Sequence, residues 1–431
     1  MLFVFKIKLK KENSIFQQPK KVQLLKAFNL KFFSIKLIYI IYRSIDMSKK
    51  IIIGNIFDGG GEFEQGFQES IKNLGGFSRE PIEKFYSEYF IKLKLYPYKV
   101  SIENIKIKFE NKEFEANIYA KIFPYGAIII SAEIDVELNS FEELFNIFWM
   151  KDICLESNTC ELREYFKCKF DYILEKLKND IKIDYKSPEF IDEYRIIVDD
   201  NDMDNEDVMS LLMNDIKKCT NKDLENAIFF PDLGYLEGEK VVVTPKNAYI
   251  RYNKSEVDVI LSLVELGYTQ VYELKVYDYL LDNFIETLYN EVENYKFKNS
   301  LIAPSIFSKK YTRLIKNAVS LLELRVDIVD LIRDISNALK VTEDVYYSYF
   351  YSKVIEKVKF NQWYENINIK LEEIEKFNAL LREEGDVVRS AKLEFWIILL
   401  FVIEIVLAFD FLNPFTYTVV QQFLENIKNL F

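Results

Sequence analysis

The sequence contains no histidine among its 431 residues. Ser-His-Asp and Cys-His catalysis, histidine acid-base chemistry and every metal site with an imidazole ligand are therefore excluded. Cysteine is also rare, and the four thiols form no Cys-x-x-Cys pair: Cys154, Cys160, Cys168 and Cys219. Their spacing predicts reduced thiols rather than disulfides or a zinc site. We accordingly expect no cofactor and no bound metal.

Glycine is scarce as well, with 12 residues, and five of them lie in the segment "GNIFDGGGEFEQG". This cluster lacks the Gly-Lys-Ser/Thr of a phosphate-binding loop and the spacing of a dinucleotide-binding loop. We interpret it as a flexible loop.

Positive charge is concentrated near the start of the chain. Residues 1–50 contain twelve Lys or Arg and two Asp or Glu, and since the whole chain has a net charge of −11, residues 51–431 sum to −21. Acidity of this size repels nucleic acid and anionic lipid headgroups. Direct binding of nucleic acid is therefore not expected.

The basic leader, residues 1–47, has neither a long apolar core nor a small-residue cleavage site, which is untypical of a signal peptide. Because "MSKKIIIG" at Met47 resembles a natural start that runs directly into a strand, we interpret the leader as disordered or as an artefact of start-site assignment. The alternative is a basic tail that lies on a membrane or on RNA.

Residues 48–198 read as an α+β domain. "KKIIIGNIF", "SIENIKIKFENKEFEANIYAKIF" and "AIIISAEIDVEL" have the alternating or continuous apolar pattern of strands. The segment "SFEELFNIFWM" predicts a helix that is capped by Ser140, with Glu143 at the capping-box position.

An acidic segment, residues 199–207, follows this domain. It carries the Asp200, Asp202, Asp204 spacing of a calcium loop, but Leu211 stands where the bidentate glutamate belongs. We therefore interpret it as a solvated linker to a mostly helical connecting region, residues 208–310.

Residues 311–392 have the apolar spacing of a coiled coil. The first long helix places Leu314, Ala318, Leu321, Arg325, Ile328, Ile332, Ile335 and Leu339 at these positions, and the second places Phe360, Tyr364, Ile367, Leu371, Ile374, Asn378, Leu381, Gly385 and Val388 there. Because a short connection joins the two, we expect an antiparallel helical hairpin.

A strongly apolar run comes next, and we expect one C-terminal transmembrane helix at residues 393–412 and a short tail at 413–431. Glu404 in its middle costs about 2.5 to 3.5 kcal/mol in a bilayer, which the apolar residues outweigh. Arg382, Arg389 and Lys392 precede the run and no Lys or Arg follows until Lys428, which predicts a single-pass protein with a cytoplasmic body. The alternative is a helix that is buried in a soluble core.

The ending "YENINIKLEEIEKFNALLREEGDVVRSAKLEFWIILLFVIEIVL" and the segment "AKIFPYGAIIISAEID" resemble the family called domain of unknown function 155, which includes the required for meiotic nuclear division protein 1 homologues. The residues that carry the resemblance in the membrane helix are Leu393, Glu394, Trp396, Ile403 and Glu404. The resemblance implies a membrane-anchored scaffold or tether without enzymatic activity, whose relatives form oligomers and support translation. Membrane lipid, further copies of the chain and a ribosome or other protein assembly are thus the expected partners.

Two other functions compete with the scaffold. Asp258, Glu273 and Lys275 follow the Asp…Glu-x-Lys order of magnesium-dependent nucleases of the restriction type, provided that they lie on two strands. The third class is a channel in which Glu404 and Asp410 line a pore.

Overall fold

The computed structural model describes residues 49–63, 67–72, 77–78, 97–109, 112–137, 140–155, 158–181, 187–215, 222–229, 231–252, 256–298, 326, 329, 345–410 and 421–426. The leader 1–47 and the first arm of the expected hairpin, apart from residues 326 and 329, lie outside these ranges.

The described residues contribute ten strands to one sheet, in the order β7-β6-β3-β4-β5-β1-β8-β10-β9, with β2 paired to β3. Every neighbouring pair is antiparallel except β8 and β10, which are parallel. The strands are β1 (Lys49–Asp58), β2 (Phe77–Ser78), β3 (Tyr98–Phe109), β4 (Lys112–Ile122), β5 (Ala127–Val136), β6 (Asp152–Leu155), β7 (Asn158–Glu161), β8 (Asp192–Val198), β9 (Lys240–Val243) and β10 (Asn247–Arg251).

Helices cover both faces of the sheet, because the central strands are apolar on both sides. In β1, Ile51 and Ile53 belong to one core, whereas Ile52 and Ile56 belong to the other. The first core holds α1 to α4, and the second holds α6 to α8. The helices are α1 (Phe67–Lys72), α2 (Phe141–Phe148), α3 (Leu162–Leu177), α4 (Asn205–Met213), α5 (Lys222–Phe229), α6 (Val257–Lys298), α7 (Val345–Lys357) and α8 (Phe360–Asp410).

The prediction of a mixed α and β fold is confirmed. Strands β1, β3, β4 and β5 form where the apolar alternation indicates them. The predicted cap of α2 is also present, since the Ser140 hydroxyl accepts a hydrogen bond from the Glu143 backbone N–H at 3.2 Å. A side chain that accepts from an otherwise unpaired amide of the first turn stabilises the start of a helix.

The boundary predicted at residue 198 differs from the structure. Strands β9 and β10 extend the sheet to Arg251. The acidic segment 199–207 begins inside this fold, since Asp199 is 1% exposed and accepts a hydrogen bond from Lys49 Nζ at 2.9 Å, whereas Asp202, Asp204 and Glu206 are exposed.

The described helix that pairs with α8 is α6, and the two run parallel. The Lys275 ammonium lies over the Trp363 ring. Lys370 forms ion pairs with Asp278 and Asp282. Further along, the centroids of the Phe377 and Tyr289 rings are 6.0 Å apart. Both sets of residue numbers increase together, so the contacts of α8 differ from those of the antiparallel hairpin that the sequence predicts.

The sequence also predicts that residues 393–412 cross a membrane. Among the described residues, no helix combines the length and the apolarity that a membrane span requires.

Candidate functional site

The middle of α6 is the most deeply buried helix segment of the second core. The sheet covers one side of it through residues such as Ile196 and Ile250, and α7 and α8 cover the other through Phe350 and Ile367. An apolar helix that is enclosed in this way should carry no polar side chain unless that side chain has a partner.

Five polar residues nevertheless lie in this segment, and none is more than 6% exposed. Their spacing of three or four residues places most of them on one side of the helix. We call them the polar stripe: Ser262, Glu265, Thr269, Gln270 and Glu273.

Glu265 is fully satisfied by the sheet. Lys121 Nζ lies 2.6 Å from one carboxylate oxygen, and the Tyr194 hydroxyl donates to the other at 2.6 Å. Ser131 bonds the Tyr194 hydroxyl at 2.9 Å, and Lys121 also reaches Ser262 at 3.4 Å. One positive and one negative charge thus form a neutral buried pair with hydrogen bonds around it, which is the arrangement in which burial of charge is tolerated.

The cluster requires glycine at position 54 of β1. Gly54 lies opposite Ser131 in β5 and Tyr194 in β8. A Cβ atom there would lie 2.4 Å from the Tyr194 ring and 2.6 Å from the Ser131 hydroxyl. The missing side chain of Gly54 is therefore what lets the Tyr194 ring cross β1 to reach Ser131 and Glu265. Burial, followed by the charge of Glu265, raises the pKa of Tyr194 well above its ordinary value, so that its hydroxyl stays a donor.

The next part of the polar stripe contacts the turn after β4 and helix α7. The Tyr125 hydroxyl lies 2.8 Å from the Thr269 hydroxyl, which itself donates to the Leu266 carbonyl at 2.9 Å. The Tyr351 hydroxyl of α7 donates to the side-chain amide oxygen of Gln270, Oε1. These bonds fix both the rotation of α6 and the position of α7.

Glu273, at the end of the polar stripe, differs from Glu265. It is completely buried, and neither of its carboxyl oxygens has a hydrogen-bond partner among the described residues. Burial, and then the charges of Asp58 and Glu62, raises the pKa of Glu273 well above its ordinary value. Glu273 is therefore a neutral carboxylic acid, because ionisation in such surroundings is strongly unfavourable.

The glycine cluster lies close to this end of the polar stripe, and the structure corrects its interpretation as a flexible loop. Gly59, Gly60 and Gly61 are buried. The Gly59 N–H donates to the Gly126 carbonyl at 3.1 Å, and Gly126 has a φ of +113°, with the Gly61 carbonyl 2.7 Å from where its Cβ would be. The glycines thus allow two tight backbone turns to pack against each other.

The residues of the competing nuclease hypothesis do not form one site. The hypothesis requires two strands, but Asp258, Glu273 and Lys275 all lie on α6. Asp258 is exposed at the start of the helix, and Lys275 donates to Asp192. Fifteen residues of helix separate Asp258 from Glu273, which is about 22 Å at 1.5 Å per residue and too far for two carboxylates to share a metal ion. Within the described parts of the chain, no three Cys, Asp or Glu side chains are grouped so as to hold a metal.

The residues of the predicted membrane helix lie near the end of α8. From Leu393 to Leu407 no side chain is buried, and Ile398, Leu400 and Phe401 are 61%, 62% and 58% exposed. Glu394, Trp396 and Glu404 are also exposed, and Ile403 is half-buried. We call residues 393–407 the apolar end.

The match to a known family covers most of the sheet and excludes α6 and α8. The family model described as "Uncharacterized protein MJ0711, N-terminal domain" matches residues 64–250. The matched stretch begins after β1 and ends within β10, before α6. It gives no link to the meiotic nuclear division family, and since the matched family is itself uncharacterised it carries no activity to this chain. No curated protein and no solved structure matches the chain.

The polar stripe was not predicted from the sequence. The available signal is the spacing of Glu265, Thr269 and Glu273 at every fourth position in an otherwise apolar segment, which indicates one polar line along a helix. The sheet partners Lys121, Ser131 and Tyr194 carry no local signal of their own.

Proposed function

We propose that the protein is a non-enzymatic scaffold that is anchored in a membrane by the apolar end and associates with further copies of itself. The observation that carries this proposal is the exposure of large apolar side chains all around one helix. Such a surface is unfavourable in water, whereas a protein-binding helix commonly presents one apolar face and one polar face.

The distribution of these side chains favours lipid over a protein groove as their surroundings. At 100° per residue, the exposed residues Phe395, Trp396, Ile397 and Ile398 point at about 0°, 100°, 200° and 300° and so surround the helix. A bilayer contacts a helix on every side, but a single groove covers about half of it. Burial of each such side chain contributes about 1.5 to 3 kcal/mol, so a few of them outweigh the cost of about 2.5 to 3.5 kcal/mol for Glu404.

The proposal includes a single pass with a cytoplasmic body. The apolar end, with fifteen described residues, corresponds to about 22 Å of helix, compared with a hydrocarbon thickness of about 30 Å. Helix α8 continues to Asp410, so that the helix from Leu393 onwards has eighteen described residues, or about 27 Å. The positive charges before the run favour a cytoplasmic body. A cysteine placed at Glu425 should then react with an impermeant reagent only from the far side.

The partner that the proposal assigns to the anchored body is a protein assembly. The resemblance of the ending to the family called domain of unknown function 155 favours an assembly that takes part in translation. The net charge of the body argues against direct contact with RNA, so the proposed contact is with protein.

The test is flotation of the full-length protein with phosphatidylcholine vesicles, followed by alkaline extraction. The wild type should float and resist extraction. The double change Ile398→Asp and Phe401→Asp adds about 5 to 7 kcal/mol to insertion and should leave the protein at the bottom of the gradient.

The matched control carries Tyr172→Asp and Ile369→Asp, which replace two exposed apolar residues outside the apolar end. It should float like the wild type. Wild-type protein that stays at the bottom, or a double variant that floats equally well, would contradict the membrane anchor.

A further inference from the structure

Helix α8 continues well beyond Ile374, the last of its described residues that is fully buried in the second core. Ile374 is 4% exposed and contributes to the second core. The apolar end begins nineteen residues later, at Leu393, which corresponds to about 28 Å along the helix axis.

Helix α6 accompanies α8 over part of this length. The contact between Tyr289 and Phe377 lies beyond the last core residue of α6, Leu281, and α6 continues to Lys298. Ion pairs from Lys370 to Asp278 at 2.7 Å and to Asp282 at 2.6 Å hold the two helices together where they leave the sheet. The two helices are thus joined to each other by charged contacts as well as apolar ones.

The body at the other end of these helices is acidic. Residues 51–256 contain 40 acidic and 26 basic residues, which gives a net charge of −14. A body with this charge is repelled from an anionic lipid surface, but the repulsion is screened over a Debye length of about 8 to 10 Å at physiological salt. A separation of about 28 Å is therefore several times larger than the range of the repulsion.

We propose that the α6 and α8 pair is a spacer that holds the acidic body away from an anionic membrane, so that only the apolar end touches lipid. This inference rests on the proposed function, because it assigns a position to the body once the anchor is inserted. The parallel direction of the helices is essential to it. Since α8 points away from the sheet in the same direction as α6, the apolar end lies at the far end of the pair rather than back beside the sheet.

The experiment measures energy transfer from a fluorophore on the full-length protein to acceptor-labelled lipid in vesicles. One protein carries the donor at Cys168, which is exposed on α3, with Cys154, Cys160 and Cys219 replaced by serine. The matched protein has Cys168 replaced as well and carries the donor at Ser390→Cys, an exposed position three residues before the apolar end.

Three outcomes separate the two proposals. Strong transfer from position 390 together with transfer several-fold weaker from Cys168 supports the spacer. Equal transfer from both positions overturns it, because the body would then lie on the lipid surface, and leaves the anchor in place. Transfer from neither position overturns the membrane anchor itself.

Replacement of part of the phosphatidylcholine by phosphatidylglycerol gives a second measurement. With the body held beyond the screening length, the fraction of wild-type protein that floats at physiological salt should change less than two-fold as anionic lipid is added. A loss of binding that grows with anionic lipid and is reversed by salt would show that the body approaches the membrane, and would overturn the spacer.

Discussion

The middle of α6 and the apolar end of α8 are similar in sequence but opposite in surroundings. Both are long apolar helical stretches that contain glutamate. In α6 every apolar residue from Val259 to Leu266 is less than 10% exposed, whereas in the apolar end no residue is buried. Hydropathy alone therefore does not distinguish a helix that is buried in the core of its own fold from a helix whose apolar side chains are exposed.

The glutamates show where the two helices differ. Glu265 has a lysine, a tyrosine and the sheet around it, Glu273 is buried as a neutral acid, and Glu404 is exposed in the apolar end of α8. The partners of a polar side chain in an apolar helix thus indicate whether that helix is buried in protein or lies in another environment.

The largest loss of stability is expected from breaking the buried ion pair between Lys121 and Glu265. Glu265→Leu leaves Lys121 as an uncompensated buried charge and should lower the free energy of unfolding by about 3 to 5 kcal/mol. Urea denaturation of the full-length protein measures it. The double change Lys121→Met and Glu265→Leu removes both charges and should recover most of the loss. Equal destabilisation by the single and double changes would show that the ion pair does not position α6.

A smaller change in free energy, that of binding to lipid vesicles, is expected on replacement of Glu404. Glu404→Leu should strengthen vesicle binding by up to about 2.5 to 3.5 kcal/mol, the cost of the carboxylate at mid-membrane. If the carboxyl side chains meet between copies of the chain, the same change should weaken self-association in mild detergent, as measured by crosslinking. An unchanged oligomer distribution would place assembly elsewhere in the protein.

Glu394→Leu is the matched control for this change, since Glu394 lies at the entry of the apolar end. Because a charge near the interface costs much less than one at the bilayer centre, this control should alter vesicle binding only slightly.

The effect expected at Glu273 depends on pH. Its pKa is raised in the folded state, so that the folded protein holds a proton which the unfolded chain releases above its own pKa of about 4.3. The stability that this proton contributes is fully present below that pH and is lost, by about 1.4 kcal/mol per pH unit, as the pH rises towards the folded pKa. Glu273→Gln should remove this slope.

Urea denaturation of both proteins between pH 4 and pH 8 provides the measurement. At the acidic end the Gln variant and the wild type should be equally stable, and at the neutral end the variant should be the more stable of the two. A variant that is less stable by the same amount at every pH would mean that Glu273 has a partner that needs its carboxylate. Magnesium-dependent cleavage of DNA or RNA that is lost in Glu273→Gln would instead restore the nuclease hypothesis.

The sequence predicts well those elements whose signal is local. Strand β5 begins with the apolar run "AIII" and continues with alternating apolar and polar residues, and the cap of α2 needs only Ser140 and the amide of Glu143. The nature of α6 could not be predicted in the same way, because its apolar residues surround the helix and no period of 3.6 stands out. The partner of Glu265, Lys121, is 144 residues away in the chain, so the partners of the polar stripe become recognisable only when the sheet is formed.

The predicted hairpin shows a second limit of pattern reasoning. Three of the heptad positions of α8, Ile367, Leu371 and Ile374, are buried. A heptad pattern predicts which face of a helix is buried, but it does not predict which helix packs against that face or in which direction that helix runs. The structure pairs these positions with α6, which precedes α8 by more than sixty residues.

The parallel pairing of α6 and α8 has a consequence for the order in which the protein folds and opens. Two helices that point the same way cannot be joined by a tight turn, and 46 residues separate the end of α6 from the start of α7, where Tyr347 donates to Glu256 near the base of α6. Bringing together elements that are this far apart in the chain costs entropy that only the later contacts repay. Docking of α7 and α8 should therefore follow formation of the sheet and α6, and amide hydrogens in α7 should exchange through partial openings that leave the strands intact.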